Sequence, residues 1–344
     1  MSVFTLPQAA KEEALLKELS DLVSHHRDRC APYDRILAAS SFESADSIAD
    51  LPWLPVRLFK NLELKSIPDD EVFKVLTSSG TTGEVSRIYL DKAAAATQTR
   101  QLGATVQTVL GPKRLPMLLV DTKAMLKDRR SFSARGAGVL GMSTFGRDHV
   151  WALDEEGHVD LDAIRGFLAK HGDAPFLIFG FTYMVWLHLY EVARDNGLDL
   201  SNGILIHSGG WKKLVDQAVS PSSFRAHLAE VGLVNTHNFY GMVEQIGTIF
   251  LEGPSGGSLY CPDFADVIVR DPVTWRELPP GETGLLEVVS TLPTSYPGHV
   301  LLTEDLGVVH GIDDGDWPGK RFSVIGRLPR AEARGCSDTY REAA

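Results

Sequence analysis

Three cysteines in 344 residues, Cys30, Cys261 and Cys336, are too few and too irregularly spaced for a disulfide framework or a structural zinc site. A reducing cytoplasm is the compartment they suit. Positive charge is also scarce: 34 Lys and Arg stand against 45 Asp and Glu, for a net charge of −11. That balance excludes a general nucleic-acid binder, because no field is left to neutralise phosphates, although a local basic pocket remains open. No stretch approaches the roughly 20 apolar residues of a membrane span, and the first residues, MSVFTLPQAAKEEALLKEL, lack the basic and then apolar order of an export signal. The absence of a repeat of about 20 to 50 residues argues against a solenoid or propeller. What is present, 44% hydrophobic and 23% charged residues with 31 glycines, fits a soluble globular chain long enough for about two domains or one elaborate α/β unit.

Residues 8–26 carry Ala14, Leu15, Leu16, Leu19, Leu22 and Val23 at helical spacing, which predicts an amphipathic packing helix. LPWLPVRLFK (51–60) is punctuated by Pro52 and Pro55 and reads as extended, ahead of a strand at 72–76. Short apolar runs then alternate with helical segments: PMLLVD (116–121), PFLIFGF (175–181), a helix from about Tyr183 to Asn196 stopped by Gly197, and GILIHSGG (203–210). This is a layered α/β rhythm. From about residue 246 strands and turns dominate, predicting a β-rich closing portion, barrel-like in character.

Four stations carry chemistry. In KVLTSSGTTGEVSRIYL (74–90) the hydroxyls of Thr77, Ser78, Ser79, Thr81 and Thr82 and the glycines Gly80 and Gly83 suit a loop that wraps an anion. No Lys-Ser/Thr pair follows Gly83, so it is not a Walker A loop, and a polar hairpin loop is an equal alternative. NFYGMVEQIG (238–247) sets Tyr240 and Gly241 before Glu244, a ring for a flat ligand and a carboxylate for a metal-bound phosphate; a strand end with an exposed acid is the plain alternative. LLTEDLGVV (301–309) puts Glu304 and Asp305 after a strand, where a carboxylate can accept from two sugar hydroxyls, although two acids before a turn are commonly just solvated. IGRLPRAEARGCSD (325–338) holds Arg327, suited to phosphate or ribose or to a surface ion pair, and Cys336.

The order of TSSGTTG, YGMVE, TEDLG and GR resembles the signatures of the adenylate-forming superfamily, which uses ATP to activate carboxylic acids as acyl-AMP. Within it the chain resembles the acyl-protein synthetases of the LuxE family, a likeness that also takes in RSFSARGAGVLGMS (130–143), FLIFGFTYMVWLHL (176–189), IHSGGWKKL (206–214) and RGCSD. The resemblance implies an α/β adenylate-forming large domain at 1–325, with layered α/β subdomains and a β-rich closing portion, followed by a hinge and short tail at 326–344. ATP and Mg²⁺ are the implied cofactors. Thr77, Ser78, Ser79, Gly80, Thr81, Thr82 and Gly83 would hold phosphates, Gly209 and Gly210 border adenine, and Tyr240 and Gly241 edge the base. Glu244 would bind Mg²⁺, Asp305 the ribose, and Arg327 ribose or phosphate.

Two departures accompany the likeness. Val243 stands where many relatives have a threonine that touches the α-phosphate, and only residues 328–344 follow Arg327, so the superfamily's small C-terminal domain, with its transition-state lysine, is expected to be absent or vestigial. Lys212, Lys213 or a partner are the candidates to replace that charge. Cys336 lies where the family carries its acylated cysteine, with Arg330 and Arg334 near enough in sequence to favour the thiolate; a spare thiol in a tail is the plain reading. His207 and His237 are candidate contacts to the carboxylate or a phosphate, and equally suit structural roles. The helix FGFTYMVWLHLY can line an acyl tunnel or simply be core.

The expected activity is ATP-dependent formation of an acyl-adenylate from a carboxylic acid, a fatty acid by resemblance, with pyrophosphate release and transfer to a thiol, Cys336 being the candidate. The expected partner is an acyl reductase, an acyl carrier or a transferase. A ligase acting on coenzyme A or a carrier protein, and a non-catalytic nucleotide-binding subunit, are the alternatives that the residues leave open.

Overall fold

The computed structural model describes residues 2–40, 42–78, 85–126, 134–211 and 218–328. In chain order the elements are α1 (Gln8–Arg29), α2 (Ala31–Ser40), β1 (Leu54–Pro55), α3 (Leu58–Asn61), β2 (Lys74–Thr77), β3 (Arg87–Leu90), α4 (Lys92–Leu110), β4 (Leu115–Thr122), α5 (Ala134–Ser143), β5 (Gly146–Leu153), α6 (Leu161–His171), β6 (Phe176–Phe181), α7 (Thr182–Val185), α8 (Glu191–Asn196), β7 (Gly203–Ser208), α9 (Pro221–Glu230) and β8 (Asn235–Tyr240). The strands β9 (Phe250–Glu252), β10 (Leu259–Tyr260), β11 (Ala265–Arg270), β12 (Thr283–Ser290), β13 (Val300–Ile312) and β14 (Lys320–Arg327) follow. The described residues divide into two compact units: one holds residues up to Thr108 with Tyr240–Gly253 and 258–328, the other Val109–Phe239 with Pro254–Gly257.

The second unit is built on a parallel sheet in the order β5-β4-β6-β7-β8. Its central strands β4 and β6 read as apolar runs because both faces are covered; every residue of β6 is buried. Helix ends follow local rules. Asp160 caps α6 by accepting from Ala163 N at 2.9 Å, and Ser220 caps α9 with Pro221 in its first turn. Gly197, at φ 62°, closes α8 in the left-handed region that glycine tolerates, as its position after Asn196 predicts. Between α7 and α8, residues Trp186–Tyr190 form a π-helical segment.

The first unit is a mainly antiparallel sheet, β11-β12-β13-β14-β10-β9, with β1 joined in parallel to β13. The β-rich portion expected after residue 246 is therefore present. Helix α1 is longer than its apolar pattern, because its buried face continues through polar residues: Leu15, Leu19 and Val23 share the stripe with Gln8, Lys11 and His26. Each fully buried aliphatic side chain contributes about 1.5–3 kcal/mol. Lys11 and Asp266 pair at 3.6 Å, and Lys320 approaches the same carboxylate at 3.7 Å. Burial alone would raise the Asp266 carboxyl, but the two ammonium groups outweigh it and hold the acid below its ordinary range.

Two expectations change. Residues 58–61 are helical, since Pro55 constrains its own φ and the residue before it and nothing downstream, so only Leu54–Pro55 is extended. The strand before the hydroxyl-rich loop, β2, is largely exposed, with Phe73 and Val75 at the surface; it pairs with β3, and of its apolar side chains Leu76 packs against the core.

His26 and His299 stack in the first unit with ring centroids 4.9 Å apart. Burial, and then the neighbouring His299 and His25, push His26 well below its ordinary range, and burial pushes His299 down to about 3. Both are neutral when folded and bind protons readily once unfolded, so their contribution is present above about pH 6.5 and lost as pH falls toward their folded values. Urea denaturation at pH 7, 5.5 and 4.5 should show stability falling with acid, and His299→Gln should lessen that slope by up to about one proton.

Candidate active site

Asp305 sits within β13 rather than after a strand, because β13 continues through it to Ile312 and pairs Asp305 directly with Arg327 of β14. The Arg327 Nε donates to Asp305 Oδ1 at 3.0 Å, and the Tyr240 hydroxyl donates to Oδ2 at 2.7 Å. Thr303 fixes the backbone here: its hydroxyl donates to Leu286 O at 2.8 Å and accepts from Asp305 N at 3.1 Å. A carboxylate that is 9% exposed thereby keeps both oxygens occupied. The preceding acid, Glu304, has a different partner, forming an ion pair with Arg57.

Tyr240 ends β8, and its ring lies 6.1 Å from Phe250 at a 32° tilt. Burial, followed by the Asp305 charge, raises its phenol well above the ordinary value, so the hydroxyl stays protonated and remains a donor. Gly241 follows where a Cβ would press on Thr248 O at 3.1 Å.

Glu244 lies in a single 3-10 turn, Val243–Gln245, and is buried, against the reading of an exposed strand-end acid. Gln245 anchors the turn by donating through Nε2 to Gly298 O at 2.9 Å and Val288 O at 3.1 Å. Burial pushes the Glu244 carboxyl above its ordinary range, while Ser86 and the charges of Lys60 and Arg327 pull it down. Ser86 is fully buried and its hydroxyl meets no partner in hydrogen-bonding geometry. A desolvated carboxylate with a buried serine hydroxyl beside it fits a magnesium ion that shares its coordination with phosphate oxygens. Among the described residues no group of three or more His, Cys, Asp or Glu can hold a metal unaided, so phosphate would have to complete the sphere.

Thr77 closes the β2–β3 hairpin opposite Arg87, and Ser78 Oγ accepts from Ser86 N at 2.9 Å. The hydroxyl-rich loop therefore springs from a hairpin neck that ends beside Ser86. Ser79, Gly80, Thr81, Thr82 and Gly83 lie outside the described residues, as do Lys212, Lys213 and Cys336. Sequence reasoning missed Ser86, Lys60 and Arg57: the first looks like an ordinary strand-flanking serine, and the other two belong to the segment read as extended.

In the second unit His207 and His237 lie on the adjacent strands β7 and β8, both buried, with Ile206 opposite His237 and His207 opposite Asn238. Gly209 follows at φ 86°, and a Cβ at Gly210 would meet nothing within 4 Å. The helix after β6 is core in its first turn, Thr182–Val185 being buried throughout. Asp121, at the end of β4, holds Arg135 of α5 in a buried two-point pair. A basic cleft of about 400 Å³, lined by Lys113, Arg114, Arg147, Lys170 and His171, opens at the amino ends of β4 and β6, the opposite sheet edge from His207.

The chain matches the family description "Acyl-protein synthetase, LuxE" over residues 2–344. It belongs to the acyl-protein synthetase (LuxE) family. It is similar to a protein of Vibrio harveyi named long-chain-fatty-acid–luciferin-component ligase, 25% identical over 323 residues that cover 86% of this chain and 78% of the other. A protein of the same name from Aliivibrio fischeri is 23% identical over 315 residues, covering 86% and 79%. The fold is that of adenylate-forming ligases: 2-hydroxyisobutyryl-CoA ligase in complex with 2-HIB-AMP superposes with a TM-score of 0.72 at 18% identity, covering 95% of this chain and 70% of that one. ATP-bound MatB from Rhodopseudomonas palustris gives 0.51 at 17% identity, covering 76% and 49%. This LuxE-family chain is thus an enzyme of the acid-activating ligase type, and among its described residues no helix is long and apolar enough to cross a membrane.

Removing the phenol from the Asp305 cluster tests its energetics. Tyr240→Phe leaves a buried carboxylate oxygen without its donor and should lower stability by about 1.5–3 kcal/mol in equilibrium urea unfolding; a change below about 0.5 kcal/mol would mean that water replaces the phenol.

Proposed function

We propose that this enzyme binds ATP with Mg²⁺, activates a fatty acid as its acyl-adenylate, and passes the acyl group to Cys336 for delivery to a partner protein. The observation that carries the reading is the Tyr240–Asp305–Arg327 cluster, standing in one compact unit with the buried Glu244. Asp305 is the acceptor for ribose hydroxyls. Its oxygens already hold a phenol and a guanidinium, so it is oriented before any ligand arrives. Tyr240 offers a ring face to the adenine, and Arg327, the more exposed member of the ion pair, is the member able to turn toward ribose or phosphate.

In the first step a carboxylate oxygen attacks the α-phosphorus, the bond to the bridging β-phosphate oxygen breaks, and pyrophosphate leaves with that electron pair. Glu244 would hold magnesium against the phosphates, and the ion would neutralise charge that builds on the departing pyrophosphate. The neck formed by Thr77 and Ser78 would direct the hydroxyl-rich loop to the same phosphates. In the second step the Cys336 thiolate attacks the acyl carbon, a thioester forms and AMP leaves. The fatty-acid class and the protein partner are supported by the printed names of the Vibrio and Aliivibrio relatives, which pair a long-chain fatty acid with a luciferin component.

The metal assignment predicts that Glu244→Gln lowers acid-dependent ATP–pyrophosphate exchange by about two orders of magnitude, the scale of losing one preorganised electrostatic group, with a much smaller change in ATP affinity by calorimetry. Unchanged exchange would remove Glu244 from the metal.

The acceptor assignment predicts that wild type with ATP, Mg²⁺ and a labelled fatty acid forms an adduct that neutral hydroxylamine removes. Cys336→Ser should abolish this adduct and leave acid-dependent exchange intact. Label that persists in the variant, or that forms only on added coenzyme A, would replace the self-acylation step with transfer to an external thiol.

A further inference from the structure

Parallel α/β sheets place ligands outside the carboxyl ends of their strands. At that edge of the second unit Thr182 follows β6 and His207 closes on the end of β7, with Gly180 opposite His207 and Phe181 opposite Ser208 in the register. The His207 ring is 4% exposed and lies 4.9 Å from Phe224. Its Nδ1 meets the Thr182 hydroxyl at 2.9 Å, whereas its Nε2 is buried and meets no hydrogen-bond partner. Leaving such a group unpaired is costly enough that native proteins do so rarely, and a catalytic role is one of the recognised reasons. The chain then turns through Gly209 at φ 86° to Gly210, beside which a Cβ would find open space.

We propose that His207 Nε2–H donates a hydrogen bond to a carboxylate oxygen of the acid substrate, and that Thr182 is the positioning residue that fixes the tautomer by donating its hydroxyl hydrogen to Nδ1. The inference rests on the acid-activating reading and adds the group that orients the nucleophile. Burial, then the charges of Arg225 on α9 and His237 on β8, push the ring down to about 3, so it is neutral wherever the enzyme would work. Neutrality suits the task. The carboxylate is the attacking group, and a full positive charge against it would stabilise the ground state and slow attack, whereas a neutral donor fixes direction at little electrostatic cost.

Nitrogen-15 NMR of histidine-labelled protein tests the tautomer without relying on turnover. The expected result is a His207 ring protonated on Nε2 and unprotonated on Nδ1, constant from pH 6 to 9; a proton on Nδ1 overturns the proposal. In exchange assays with saturated carboxylates from acetate to palmitate, His207→Ala should lower kcat/KM for the acid roughly ten- to a hundredfold, with the ATP dissociation constant within about twofold. That ratio should be flat from pH 6 to 9. His207→Gln, which keeps a neutral N–H near the same place, should recover most of the loss. Thr182→Val should reproduce part of it and Thr182→Ser restore it. A loss expressed in ATP affinity would reassign the ring to the nucleotide and overturn the proposal. If wild type exchanges with none of the acids, the acid-activating reading itself fails; if wild type is active and His207→Ala is undiminished, only the role of His207 fails.

Discussion

Asp305 is buried and ion-paired with Arg327, and much of the first unit is arranged to permit this. An isolated carboxylate taken from water would neutralise or fail to bury, so partners have to arrive from separate parts of the chain. Arg327 comes from the neighbouring strand in direct register, and Tyr240 from the end of β8, 65 residues earlier. The 13-residue β13 makes this possible, because it pairs with β1, β12 and β14 and so carries the acid on the most connected strand of the sheet. Its pairing with β12 shifts register between Leu285 and Glu287, across from the stretch that Thr303 ties down.

The same economy of charge recurs away from the site. Arg270 and Glu287 form a buried pair on β11 and β12, and the arginine also donates to Ala49 O at 2.7 Å and Trp275 O at 2.9 Å. Lys11, Asp266 and Lys320 bind α1 to the strands. Such pairs add less to net stability than their number suggests, since desolvation opposes the attraction. What they do add is register: a slip of one residue in β11 would leave Asp266 and Arg270 facing the wrong side, so the arrangement that tolerates them is nearly unique.

Legibility in the sequence divided along the range of the interactions. Periodic apolar runs announced β4, β6 and β7, Gly197 announced the end of α8, and the crowding of short strands after residue 246 announced the antiparallel sheet. Each depends on neighbours a few positions away. The placement of Glu304 and Asp305 inside a strand was misread because an acidic pair ordinarily breaks a buried strand; here Arg57 and Arg327, 247 and 22 residues distant, make it tolerable. Ser86, Lys60 and Thr182 had no local mark at all, because their significance lies in what they stand beside. The motif order did identify Tyr240, Glu244, Asp305 and Arg327 as a group, and the fold brings Tyr240, Asp305 and Arg327 into hydrogen bonding with Glu244 in the same unit.

The two acids of the first unit's candidate site stand in different environments. Asp305 is met on both oxygens, by a guanidinium and a phenol, so its charge is compensated within the protein and its geometry is set. Glu244 is equally withdrawn from water; the Ser86 hydroxyl and the charges of Lys60 and Arg327 favour its anion, but burial dominates and raises the carboxyl. A raised carboxyl is one whose anion the protein alone stabilises incompletely. A cation bound there, as proposed for Mg²⁺, would recover the missing stabilisation and lower the acid again, so metal binding and the ionisation of Glu244 would reinforce each other. An acid paired as Asp305 is would gain little from a metal and would have to surrender its arginine to bind one. On the proposed reading the environments divide the tasks: the ion-paired carboxylate would suit recognition of neutral hydroxyls, and the one raised by burial would suit a metal ion.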